Sequence, residues 1–272
     1  MLPLVAVETS SRTEKQKKAA DAFAELAEIV RRLRAPGGCP WDREQTHETL
    51  KPFLIEEAYE AIDAIDRNSA ADLREELGDV LLQIMLHAQI GDEHEGFDVA
   101  DVVAGLSRKL VARHPHVFGE ISVSGADEVL VNWEKIKKKE KAARGLFDGL
   151  PASLPALQMA ARMGEKAGRV GFDWHDAAGV RDKVCEELRE IDEAIASGDP
   201  AAIDHELGDL LFSVAQWARH LGRQPEEALR ACCRRFSSRF SSMEAAVRGE
   251  GRELTDLDAA GLERAWQEAK RR

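Results

Sequence analysis

The sequence predicts an all-α protein built from two tandem helical bundles of about five helices each. Residues that favour helices, such as Ala, Leu, Glu, Arg and Lys, dominate the 272-residue chain. There is one Tyr, aromatic residues make up 6%, and β-branched runs are few, so a large sheet is not expected. Apolar residues recur at helical spacing, and the chain repeats its own motifs in order.

The repeat is visible as matched segments 130 residues apart. The segment EEAYE at 56–60 recurs as EELRE at 186–190, and ELGD at 76–79 recurs at 206–209. Basic and Trp positions follow in the same order, with Lys109, Arg113, Trp133 and Lys137 matching Arg235, Arg239, Trp266 and Lys270. Several pairs in one order at nearly one offset indicate an internal duplication.

The duplication sets the expected domain organisation. We expect a flexible tail at 1–13, a first module at 14–143, a linker at 144–154 and a second module at 155–272. The linker region is rich in Gly and Pro, which interrupt helices. Within each module, the apolar stripes imply helices packed against one another in a bundle.

Composition narrows the function classes. The formal charge is −12, and an acidic chain repels a phosphate backbone, so we do not expect a nucleic-acid partner. No apolar run is long enough to span a membrane. The four cysteines (Cys39, Cys185, Cys232 and Cys233) fit neither a disulfide framework nor a zinc site, so we expect a reducing, cytoplasmic location.

Acidic residues flank the apolar stripes of two neighbouring predicted helices in each module. Glu57 and Glu60 share one helical edge, as do Glu76 and Asp79 on the next helix. Two carboxylates about 4 Å apart repel by roughly 4 kcal/mol at an effective dielectric near 20, so converging acids need a cation. An all-oxygen set suits Mg²⁺, with Mn²⁺ as a substitute. The candidate metal ligands are Glu56, Glu57, Glu60, Glu76, Asp79, Glu186, Glu187, Glu190, Glu206 and Asp209, and all except Glu56 and Glu186 are also candidate catalytic acids.

A solvated acidic face is the alternative to a metal site. Such faces usually mix signs and pair acid with base one turn apart, whereas these acids flank apolar stripes on two adjacent helices, twice. A di-iron bundle is a weaker rival, because it requires a Glu-x-x-His motif that neither ELGD segment provides.

The basic and Trp positions are the candidate nucleotide-binding residues. An exposed Trp one turn from a cation can stack a base while Lys or Arg holds a phosphate oxygen. A core Trp beside a Lys whose stem lies along it is the alternative, and the sequence does not choose between them. The candidates are Lys109, Arg113, Trp133, Lys137, Arg235, Arg239, Trp266 and Lys270.

The pattern EExxE, a spacer and ExxD resembles MazG-type nucleoside triphosphate pyrophosphohydrolases, in the all-α superfamily that includes dimeric dUTPases. The phrases GCPWD at 38–42, RHPHVF at 113–118 and VGFDW at 170–174 strengthen the resemblance. It implies Mg²⁺-dependent hydrolysis of an NTP or dNTP to the monophosphate and pyrophosphate, by attack of water on the α-phosphorus. It also implies Mg²⁺ bound by the motif acids, nucleotide contacts at the basic and Trp positions, and a homodimer with sites near the subunit contacts.

Two other functions stay open at this point. The chain can be a protein that senses nucleotide without hydrolysing it, or a helical adaptor whose acidic face docks a basic protein. If the chain is an enzyme, either one or both modules can be catalytic, because both acid sets are intact.

Overall fold

The computed structural model describes residues 13–119, 121–125, 128–129, 132–133, 136 and 145–271. All regular secondary structure within these ranges is helical, which confirms the predicted all-α class. Most of the predicted tail, Lys137 and the first residue of the predicted linker lie outside the described residues. None of the described helices is long and apolar enough to cross a bilayer.

The chain divides into two compact units, Met1–Ala142 and Ala143–Arg272. The helices of the first unit are α1 (Glu14–Arg34), α2 (Pro40–Glu44), α3 (His47–Asp66), α4 (Ala70–His94), α5 (Val99–Arg113) and α6 (Pro115–Phe118). Those of the second unit are α7 (Ala156–Gly168), α8 (Ala177–Ser197), α9 (Pro200–His220), α10 (Pro225–Gly249) and α11 (Ala259–Arg271), with a short 3₁₀ helix (Leu254–Asp256) before α11.

Each unit contains a helical hairpin, α3–α4 in the first and α8–α9 in the second, and the two turns are built alike. Asn68 (φ 53°) and Gly198 (φ 69°) adopt the left-handed conformation at equivalent positions. The next residue then caps the second helix. Ser69 accepts from the Asp72 backbone N–H at 3.3 Å, and Asp199 accepts from that of Ala201 at 3.0 Å. The duplication therefore extends to the local chemistry of the turn.

The core of the first unit lies where α1, α3 and α4 meet, and its buried residues are Val30, Leu50, Met85, Leu86 and Ile90. Beside this core, Arg34 is 7% exposed and forms an ion pair with Glu93 at 2.7 Å. Its guanidinium also donates to the backbone carbonyls of Asp42 and Gln45, the latter at 3.1 Å. Arg34, which lies on α1, thereby connects α2 and the residue that follows it to α4.

In the second unit, α7 packs against α9 through a buried amide. Gln216 has no exposed surface; its Nε2 donates to the Ala160 carbonyl at 2.7 Å, and its Oε1 accepts from Arg219 at 2.9 Å. Arg219 also holds Asp173 through two bonds of 2.9 and 2.5 Å, and His220 lies 2.9 Å from the same carboxylate. This network fixes the loop before α8, the helix that carries three of the five acids of the second set.

We expect Gly164→Ala to destabilise the protein by about 1–3 kcal/mol, because overpacking a filled interior forces side chains from their positions. A Cβ at Gly164 would overlap Gln216 Oε1, which is buried and already hydrogen-bonded. The control is Gly208→Ala, where a Cβ meets open space and alanine favours the helix by up to about 1 kcal/mol. Urea unfolding of both variants measures the difference, and equal midpoints would contradict this account of α7–α9 packing.

Candidate functional site

The two helical hairpins bring the predicted acids together. In the first unit, α3 contributes Glu57 and Glu60 and α4 contributes Glu76. One carboxylate oxygen from each of these three residues lies within 4.8 Å of the other two. We call this group the first cluster. The convergence predicted from helical spacing is present for three of the five candidate acids of this unit.

Burial and mutual repulsion raise the pKa values of two acids in the first cluster. Burial, and then the charges of Asp79, Glu60, Glu56 and Glu76, raise the pKa of Glu57 above its ordinary value. Burial and the nearby charges of Glu60 and Asp79 likewise raise the pKa of Glu76. Glu56 and Asp79 are thus close enough to act on the cluster electrostatically, although neither belongs to its three converging ligands.

The second cluster consists of Glu187 and Glu190 from α8 and Glu206 from α9, again with one oxygen from each within 4.8 Å of the others. Glu187 is 2% exposed, and its Oε2 is buried without a hydrogen-bond partner. Burial and the adjacent Glu187 carboxylate raise the pKa of Glu190, and Lys183 partly offsets the effect. An unpartnered buried carboxylate oxygen is costly, so a further ligand at this oxygen would stabilise the site.

Two residues missed by the sequence analysis sit beside the second cluster. Lys183 Nζ lies 2.8 Å from oxygens of both Glu186 and Glu187, and 4.0 Å from Glu190. His205 Nδ1 lies 3.4 Å from Glu206. The sequence led us to expect acids without a paired base one turn away, and this expectation was wrong for the second unit. The detectable signal was the spacing, since Lys183 precedes the two acids by three and four residues.

The remaining acids of the second unit lie at the edge of the cluster. Lys183 lowers the pKa of Glu186, which is not among the three converging ligands. Asp209 is half exposed and contacts His205 at 3.3 Å, forming a separate possible ligand group with His205 and Glu206. The ten predicted acids thus divide into six that converge and four that flank them.

The basic and Trp candidates that the structure describes lie on the later helices of each unit. Trp266 on α11 is half-buried against Phe236 of α10, with ring centroids 5.1 Å apart, and Lys270 Nζ lies 5.5 Å from the Trp266 ring centroid. Arg235 is exposed and Arg239 half-buried on α10. The contact with Phe236 shows that Trp266 contributes to packing, and its role in stacking a base stays a prediction.

The equivalent candidates of the first unit are described in part. Lys109 is exposed and Arg113 half-buried on α5, and Trp133 is half-buried. Lys137 lies outside the described residues. The nucleotide-binding role of all eight residues stays a prediction.

The acid clusters fit a hard divalent cation. Their converging atoms are carboxylate oxygens, and the unpartnered Oε2 of Glu187 offers a free coordination position. Mg²⁺ and Mn²⁺ prefer oxygen ligands of this kind. Glu57, Glu60 and Glu76 in the first unit, and Glu187, Glu190 and Glu206 in the second, are the residues that would hold such an ion.

Comparisons with known proteins agree with the two-cluster arrangement. The family model described as MazG nucleotide pyrophosphohydrolase domain matches twice, at residues 45–118 and 177–243, and each match contains one cluster. Nucleoside triphosphate pyrophosphohydrolase/pyrophosphatase MazG of Thermotoga maritima is 45% identical, over 93% of this chain and 98% of the relative. Nucleoside triphosphate pyrophosphohydrolase of Escherichia coli strain K12 is 44% identical, over 90% of this chain and 96% of the relative.

Among solved structures, the chain is similar to a mazG-related protein from Thermotoga maritima. The sequence identity is 30% and the TM-score 0.38, and the match covers 42% of this chain and 98% of that one.

Proposed function

The chain belongs to the MazG family of nucleotide pyrophosphohydrolases, and from this premise we propose that it is a Mg²⁺-dependent nucleoside triphosphate pyrophosphohydrolase. Its substrates are NTPs or dNTPs, and its products are the monophosphate and pyrophosphate. The observation that carries the proposal is the second cluster, where three carboxylates converge and a buried oxygen of Glu187 has no partner. A solvated acidic face would not bury a carboxylate in this way.

The metal ligands we propose are the converging acids of each cluster, with Asp79 and Asp209 as further ligands from the second helix of each hairpin. A divalent ion bound there would offset phosphate charge and lower the pKa of a bound water. Within the second cluster, Glu190 is the proposed general base. Its side chain is the most exposed of the three, at 41%, so it is the best placed to accept a proton from a water that enters from solvent.

The attacking water adds to the α-phosphorus in line with the departing pyrophosphate. A P–O bond forms to the water oxygen, the α–β phosphoanhydride bond breaks, and the water proton passes to Glu190. Arg235, Arg239 and Lys270 counter the charge of the leaving pyrophosphate from α10 and α11. The aromatic surface formed by Phe236 and Trp266 is where the nucleobase would pack.

We also propose that the protein is a cytoplasmic homodimer. Leu188, Leu207 and Leu211 on the α8–α9 hairpin are each about half exposed, at 49, 47 and 50%. Such a run of apolar side chains along a helical hairpin favours burial against a second copy. All four cysteines are free, which fits a reducing compartment.

A panel of NTPs and dNTPs, assayed for pyrophosphate release with and without Mg²⁺, tests the proposed activity. We expect release with Mg²⁺ and loss of release when the metal is removed, with Mn²⁺ restoring part of it. Detection of pyrophosphate separates attack at the α-phosphorus from attack at the γ-phosphorus, which would yield inorganic phosphate. Nucleotide binding without release would favour the sensor, and release of inorganic phosphate would overturn the assigned bond.

Mg²⁺ should also raise the melting temperature of the nucleotide-free protein, because a ligand that binds the folded state stabilises it. The helical adaptor makes the opposite prediction. An unchanged melting temperature across a Mg²⁺ titration, together with no pyrophosphate release, would count against the enzyme and for the adaptor.

A further inference from the structure

The two acid clusters differ in the charged residues beside them, first at a position on the first helix of each hairpin. Lys183 lies on α8 of the second unit, and the equivalent residue on α3 of the first unit is Phe53. Phe53 packs at the edge of the first core and meets Trp41 edge-on, with ring centroids 5.7 Å apart. The first cluster therefore has an aromatic side chain where the second has an ammonium group.

The ammonium group of Lys183 is held directly on the ligands of the second cluster. Its Nζ is 2.8 Å from Glu187 Oε1, within ion-pair distance of the most deeply buried acid, and 2.8 Å from Glu186 Oε1. The Lys183 side chain is 34% exposed, so its charge is only partly screened by water. Lys183 thus satisfies one oxygen of Glu187 and leaves the other without a partner.

A second difference acts in the same direction. His205 on α9 corresponds to Glu75 on α4, so an ionised acid of the first unit is replaced by a residue that is neutral or positive. The Nδ1 of His205 contacts both Glu206 and Asp209. In the first unit, by contrast, the charges of the described residues that shift the pKa of Glu57 are those of Asp79, Glu60, Glu56 and Glu76, and all are negative. Both replacements make the second cluster less attractive to a free cation.

We propose that Lys183 is a built-in counter-ion that weakens the binding of free divalent cations by the second cluster, so that the first cluster takes up metal at lower concentrations. This inference rests on the proposed function, because it treats both clusters as metal sites. A metal ion that uses both oxygens of Glu187 must displace Lys183 from Oε1. Among the residues that the structure describes, no ammonium group is paired with an acid of the first cluster. The second site therefore requires a higher concentration of free metal to fill.

The test is Mn²⁺ binding to the full-length, nucleotide-free protein, measured by electron paramagnetic resonance and by calorimetry. Wild type should show two classes of site. Glu60→Gln should remove the tighter class, and Glu190→Gln the weaker one. In the Glu60→Gln background, Lys183→Met should tighten the remaining site by about tenfold or more, since one unit charge at contact distance is removed. Methionine keeps most of the aliphatic stem, so the helix packing is disturbed little.

Two control variants separate a local effect from a general one. Lys183→Arg keeps the charge and should leave the weaker class unchanged. Arg181→Met removes an exposed positive charge from the same helix and should change Mn²⁺ affinity far less than Lys183→Met.

Three results would overturn the inference. The first is unchanged Mn²⁺ affinity in Lys183→Met, the second is a gain of equal size in Arg181→Met, and the third is loss of the tighter class in Glu190→Gln. In each of these cases the metal sites themselves remain, so the proposed function is not affected. Absence of any Mn²⁺ binding by wild type, with or without nucleotide, would overturn both.

Discussion

Replacing Glu190 by Gln is expected to lower pyrophosphate release by about 100-fold or more, the range typical of removing a general base. The amide cannot accept the water proton, and it contributes a weaker metal ligand beside Glu187 and Glu206. The fold should be retained, because Glu190 is only half-buried and the substitution preserves its shape. Steady-state assays at saturating Mg²⁺, with circular dichroism to verify helicity, measure the effect.

The matched control is Glu193→Gln, the same chemical change at an exposed position on the same helix, which should leave turnover within about twofold, as surface substitutions are usually mild. Near-normal activity in Glu190→Gln would remove the proposed base. Pyrophosphate release by the Glu60→Gln variant then tests whether the first cluster is catalytic. An equally large loss means that turnover requires both units, a loss of about half in each variant means that the units act independently, and unchanged activity means that the second unit carries the reaction.

The convergence of the acids could be predicted because it depends on local rules. Residues three and four apart share a helical edge, and two helices joined by a short turn must pack side by side. Those rules bring Glu187 and Glu190 into contact with Glu206, and Glu57 and Glu60 with Glu76. They apply equally in both units, so the repeat doubled the evidence for a site that one EExxE segment alone would have left ambiguous.

What the sequence analysis missed depends on side-chain reach and on contacts between distant segments. Lys183 lies one turn before the acids on the same helix. Its long side chain can reach them or extend into water, and the spacing alone does not decide between the two. The role of the loop at 170–174 was not accessible from its composition. Asp173 meets Arg219, 46 residues away, and no periodicity links them.

The loops that contain the GCPWD segment at 38–42 and the VGFDW segment at 170–174 are anchored by different atoms. In the first unit, a buried guanidinium, that of Arg34, holds the Asp42 loop through a backbone carbonyl. In the second unit, Arg219 holds the Asp173 loop through a carboxylate. A backbone carbonyl carries no charge, and its hydrogen bond does not depend on which side chain the residue has. The carboxylate of Asp173, in contrast, loses its charge when it is protonated. The contact that holds the loop therefore titrates in the second unit, whereas in the first unit the titrating partner of Arg34 is Glu93 on α4 and not the loop.

This difference predicts that Asp173→Asn destabilises the protein at neutral pH by about 2 kcal/mol. The hydrogen bonds and charges of Arg219 and His220 lower the pKa of Asp173 from 3.8 to about 2. A shift of that size corresponds to about 2 kcal/mol of differential stability, since each unit is about 1.4 kcal/mol. The asparagine keeps the shape but loses the charge, so Arg219 remains within the fold without its ionic partner.

The pH dependence follows from the direction of the shift. Between pH 3.8 and about 2, Asp173 is mostly protonated in the unfolded chain and mostly ionised in the folded protein. The ionised Asp173 therefore contributes its full stabilisation of the folded state above this pH range, and the stabilisation is lost as the pH falls through the range. Urea unfolding should therefore show the full gap between wild type and Asp173→Asn at pH 7, and roughly half of it at pH 3. Asp192→Asn, an exposed acid on α8, should show almost no gap at either pH. A gap for Asp173→Asn that is equally large at pH 7 and pH 3 would mean that packing of the loop, and not its charge, supports the second unit.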